Sequence, residues 1–77
     1  MERAKVKEQF ERLMNEFNQK SDELQKMAEK SVNVTMERYT LAQADTAAAK
    51  LLALKEVTLR LGFAVVYDAI QNKWTLT

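Results

Sequence analysis

Cysteine, histidine and proline are absent from this chain of 77 residues, and glycine occurs once, at Gly62. Without thiols there are no disulfide staples, and without thiolate or imidazole there is no ordinary zinc site. A carboxylate-only site would suit calcium or magnesium, but no acidic cluster at calcium-loop spacing is present. A glycine-rich phosphate loop is missing as well. Nucleophilic triads and most general acid–base pairs rely on His or Cys, so catalysis has almost nothing to build on. No cofactor, no metal and no catalytic residue are expected, and the chain reads as a non-enzymatic protein.

Long apolar runs are also lacking. None approaches the roughly 18 residues of a membrane-spanning helix, and the opening "MERAKVKEQF" has no apolar centre of the kind a signal peptide needs. The expectation is a soluble cytoplasmic protein, and on that reading the glycosylation-like tripeptide Asn33-Val34-Thr35 is chance. Finally, neither sign of charge dominates. Twelve basic side chains face eleven acidic ones, with seven of each in residues 1–30. A generic nucleic-acid or acidic-membrane surface is therefore disfavoured.

What remains is a short chain that must be held by packing or by association. Seventy-seven residues form one domain, residues 1–77, near the size at which a single core barely offsets chain entropy. With disulfides and His/Cys metal sites excluded, helix packing and a partner subunit are the available sources of stability.

Helical periodicity is plain in residues 2–30. Val6, Phe10, Leu13, Phe17, Leu24 and Met27 recur at steps of three, four or seven, one face of a long helix. The seven-step skips a slot that Lys20 fills, its stem over the seam and its amine in water, or acting as a polar register device. Glu8 and Arg12, Glu16 and Lys20, and Asp22 and Lys26 stand at the favourable i,i+4 spacing. A helix of this length spans roughly 40 Å.

"SVNVT", residues 31–35, concentrates β-branched and turn-prone residues, which predicts a turn and antiparallel neighbours. The second helix, about residues 36–61, is capped either by Thr35 or by Thr40 with Gln43 in a capping box. "VTLRLGF" alternates like a strand, yet the Ala-Leu-Lys-rich lead-in and Gly62 just past the end favour helix. This helix carries two apolar stripes. Met36, Tyr39, Ala44, Ala47, Leu51, Leu54 and Leu61 fill a broad face, and Leu41, Ala48, Leu52 and Leu59 form a second line. The first helix covers one stripe. The second meets either another subunit or the carboxy-terminal strands of the same chain.

After Gly62, "FAVVY" and "KWTLT" are strand-like, joined by "DAIQN" with the turn-tolerant Asp68 and Asn72. They predict a two-stranded antiparallel β-hairpin over about residues 63–77. Phe63, Val65 and Tyr67 alternate with Ala64 and Val66, so the first strand has no polar face and should be covered on both sides. A lone hairpin is marginal in water and must pack on the helices or join a larger sheet.

The fold expected is therefore α+β, mainly α: two long antiparallel helices and a terminal β-hairpin, as a homodimer. Candidate interface residues, for a second copy or a protein target, are Leu41, Leu52, Leu59, Phe63, Val65, Tyr67 and Trp74. Functionally this reads as an adaptor, inhibitor or regulator that binds another protein, a size suited to bacterial or phage accessory proteins. A nucleic-acid-binding regulator using the second helix and the hairpin is the alternative, weakened by the thin supply of Lys50, Lys55, Arg60 and Lys73. Membrane binding is not expected, because the polar face of the first helix is mixed in sign.

Overall fold

The structure, a computed structural model, describes residues 2–77. Helix α1 runs Arg3–Glu29 and helix α2 runs Val34–Arg60, each 27 residues long. Strands β1 (Val65–Asp68) and β2 (Lys73–Leu76) follow as an antiparallel pair. The helices form an antiparallel hairpin, and the β-hairpin lies across it with β2 along α1 and β1 toward α2.

Local chemistry sets each boundary. Asn33 begins α2: its side chain accepts from Thr35 N at 2.8 Å and Met36 N at 3.3 Å, satisfying two of the helix's free N–H groups. That replaces the expected caps. Thr35 lies inside the first turn, and Thr40 is a buried mid-helix residue whose Oγ1 donates to Met36 O. A side-chain amide one residue before the β-branched run had the better geometry for both donors. At the other end, Gly62 takes φ +90°, Gly62 N donates to Leu59 O and Phe63 N donates to Thr58 O. This pair of bonds is a Schellman motif, and it settles "VTLRLGF" as helix through Arg60 followed by a stop.

Two kinds of packing hold the helices. Near the hairpin the core is wide, with Met14, Leu51, Phe63 and Leu76 buried and Val6, Phe10, Phe17, Leu54, Val65 and Trp74 packed around them. Toward the turn it narrows to small side chains: Ser21 and Ala28 on α1 against Thr40, Ala44 and Ala47 on α2. There Ser21 Oγ donates to Ala44 O at 3.2 Å, a contact that needs close backbones. Arg3 ties the amino terminus to the link after α2, donating to Gly62 O at 3.1 Å with its guanidinium 4.1 Å from the Phe63 ring centre.

The buried line of α1 differs from the one its large apolar residues mark. Met14, Ser21 and Ala28, spaced by seven, are buried, whereas Leu13 and Met27 are exposed. The slot assigned to Lys20 belongs to its neighbour Ser21, and Lys20 is on the surface. The reason is that α1 packs against two elements at once. Its contact direction falls between α2 and the hairpin, which rotates the buried line away from Leu13. On α2, Ala44, Ala47 and Leu51 are buried as expected, while Met36, Tyr39 and Leu61 are exposed because α1 covers a narrower arc than the stripe spans. Among the described residues the ion pairs are Lys7–Glu11 and Glu56–Arg60, not the three pairs the spacing favoured. Asp22 instead accepts from Asn72 Nδ2.

A candidate interaction surface

The β-hairpin register is Val65 opposite Leu76, Val66 opposite Thr75, Tyr67 opposite Trp74 and Asp68 opposite Lys73. Ala64 and Thr77 exchange both backbone bonds at 3.0 Å. In an antiparallel pair, bonded and non-bonded positions alternate. The backbone groups of Trp74 and Leu76 therefore point outward from β2, and those of Val65 and Tyr67 point outward from β1.

The two edges meet different fates. Along β2, Asn15 Oδ1 accepts from Trp74 N at 2.7 Å and Asn15 Nδ2 donates to Trp74 O at 3.0 Å. Glu11 Oε1 accepts from Leu76 N at 2.7 Å. Asn18 Nδ2 reaches Asn72 O and Oδ1 at 3.3 and 3.0 Å, seating the turn on the same helix. Side chains spaced by four and three on α1 thus stand in for a neighbouring strand. Along β1 nothing comparable occurs: among the described residues no hydrogen bond reaches the outward groups of Val65 and Tyr67. An edge of this kind is normally blunted by charge, proline or a bulge; the only charge on β1 is Asp68 at its turn end, whose carboxylate is taken up by the turn.

The turn is rigidly built. Asp68 Oδ1 accepts from Ile70 N at 2.9 Å and Gln71 N at 3.2 Å, an Asx turn, and Asn72 adopts φ 51°. The Tyr67 hydroxyl donates to Asn72 Oδ1, linking the turn to the strand. Trp74 and Tyr67 are tilted at 44° with centroids 4.9 Å apart, and Lys55 Nζ lies 5.6 Å from the Trp74 ring centre. Trp74 Nε1 is the one buried side-chain polar atom without a partner among the described residues.

The candidate residues of the sequence divide accordingly. Leu41, Leu52 and Leu59 are 38%, 62% and 50% exposed, so the hairpin does not cover the second line of α2. Phe63, 4% exposed, is a core residue and offers nothing to a partner; the Schellman turn points it inward. Val65 and Trp74 face the helices and are half-buried, and Tyr67 is 43% exposed at the strand edge. Val66, 54% exposed, lies on the outer face, which no element of this chain covers, contrary to the two-sided coverage expected for β1. Glu11, Asn15 and Asn18 went unrecognised as edge-capping residues. Their signal was there: three polar side chains on one line immediately beside the buried stripe.

Projection at about 100° per residue puts Leu52 and Leu59 some 40–60° beyond Lys55. Lys55 lies over Trp74, so the leucine line stands next to the part of α2 that meets the hairpin. Elsewhere the surface grooves are shallow; one is lined by charges of both signs, Lys5, Glu8, Glu11, Arg12 and Lys73, and another, between the helices, by Phe17, Lys20 and Lys50. Among the described residues no group of three potential metal ligands occurs, and no helix is long and apolar enough to cross a membrane. Comparison with known proteins finds no matching family, curated protein or solved structure.

Proposed function

We propose that this protein is a small non-enzymatic binding module that works as a cytoplasmic homodimer and engages another protein as an adaptor, inhibitor or regulator. The observation that carries this reading is its excess surface. A compact monomer of 8.9 kDa exposes about 4,800 Å², whereas this chain exposes 5821 Å². The excess, about 1,000 Å², is close to the ~800 Å² each partner buries in a standard protein–protein interface. The same shape shows in a radius of gyration of 14.4 Å, against about 11–12 Å for a compact chain of this length. Leucines on α2 and valine on β1 make much of that surface apolar, as dimer interfaces are.

The dispersal of basic groups supports protein over nucleic acid as the partner. Lys50 sits over Phe17, Lys55 over Trp74, Arg60 is paired with Glu56, and Lys73 stands opposite Asp68. Light scattering at micromolar concentration is expected to give a dimer, and a folded monomer would remove that half of the reading. Changing Leu52 and Leu59 together to Glu is expected to weaken association while leaving helix content intact, since both are exposed in the single chain. Unchanged association would place the interface elsewhere. An anisotropy titration with random duplex DNA at low salt is expected to show no binding; clear binding would bring the nucleic-acid alternative forward.

A further inference from the structure

The two edges of the hairpin are not equivalent, and the difference selects one mode of association. We infer that a second copy of this chain adds to the open edge of β1 through its own β1, making a four-stranded antiparallel sheet with order β2, β1, β1, β2. The inference rests on the homodimer reading and specifies its geometry. Addition at β2 is blocked, because Asn15 and Glu11 already take the outward N–H and C=O of Trp74 and the N–H of Leu76. At β1 the outward groups belong to Val65 and Tyr67, two residues apart. A two-fold axis through Val66 sets Val65 of each copy against Tyr67 of the other, and both such pairs become hydrogen-bonded. The strand is thus self-complementary.

Side chains agree with that register. On the outer face, Val66 meets Val66 of the second copy, an apolar β-branched pair at the axis. Asp68 falls at the ends, opposite Ala64, so no like charges face each other. The added strand extends the sheet over the side of α2 that carries Leu52 and Leu59. Because Trp74 lies beside Lys55, the axis passes near that level, and Leu52 and Leu59 stand three and four residues to either side of Lys55. An extended segment of a different protein would use the same edge, but it would not require this symmetry.

The absence of native cysteine makes the test direct. In this register Val66 is a non-hydrogen-bonded pair with its own copy, with Cα atoms about 4.5 Å apart, within the disulfide range of about 4.4–6.8 Å. Thr75, on the same outer face but on β2, is separated from its copy by three strand spacings, roughly 14 Å. Under mild oxidation V66C is expected to form a covalent dimer at least tenfold faster than T75C. V66K, an exposed change that places two lysines at the axis, is expected to keep the unfolding midpoint of the isolated chain and weaken association at least tenfold. If the native protein is a dimer but V66C does not cross-link preferentially, or V66K associates normally, the β1 pairing is wrong and the homodimer reading stands. If the native protein is monomeric, both are wrong.

Discussion

Replacing Asn15 by alanine should loosen the hairpin from α1. The side chain makes two hydrogen bonds, at 2.7 and 3.0 Å, to the N–H and C=O of one residue, Trp74. Each bond contributes about 0.5–1.5 kcal/mol net. Their loss also leaves two backbone groups facing the helix with no strand to pair them, so the expected cost is about 2–3 kcal/mol. For 77 residues total stability is of the order of 4–12 kcal/mol, so the change removes a large share. Urea unfolding at fixed protein concentration, followed both by helix circular dichroism and by Trp74 fluorescence, measures it. The fixed concentration matters because association would add to apparent stability. Since Trp74 is the only tryptophan and lies on β2, its fluorescence reports the hairpin itself. A loss below about 0.5 kcal/mol, the size of an ordinary surface substitution, with unchanged transitions in both signals would refute the claim that α1 serves as the missing neighbour of β2.

Other outcomes follow from the same contacts. Met14 is fully buried at the junction of both helices and the hairpin, and M14A should cost about 2–5 kcal/mol by urea denaturation. Gly62→Ala should cost about 1–2 kcal/mol through its left-handed backbone alone, because the nearest side-chain atom to an added Cβ, on Arg3, is 3.9 Å away. Restoring stability by a second change near Arg3 would argue against that cause.

The helical hairpin, the turn expected at residues 31–35, of which Val34 and Thr35 in fact begin α2, and the β-hairpin were legible from one-dimensional signals. Periodicity, a single glycine after Arg60, and Asp68 and Asn72 around a turn act over a few residues, and the chain carries them wherever it goes. The identity of the cap at Asn33 was harder, because Thr35 and Thr40 offer similar capping chemistry and the β-branched Val34 and Thr35 read as turn, whereas both lie within α2.

Facing relations were the part that sequence alone left open. Large apolar residues on α1 mark an axis through Leu13, yet burial follows Met14, Ser21 and Ala28, because two elements pull on one helix from different directions. The polar line of Glu11, Asn15 and Asn18 beside the buried stripe is visible in the sequence, but such a line usually faces water, so its role in closing one edge of the hairpin shows only once β2 is laid against it. The chain by itself determined which segments are helix and strand, and excluded His- or Cys-based chemistry. Only tertiary structure decided that β2 is finished and β1 is not, because backbone hydrogen bonds need a partner in space and no residue code records which edge has found one.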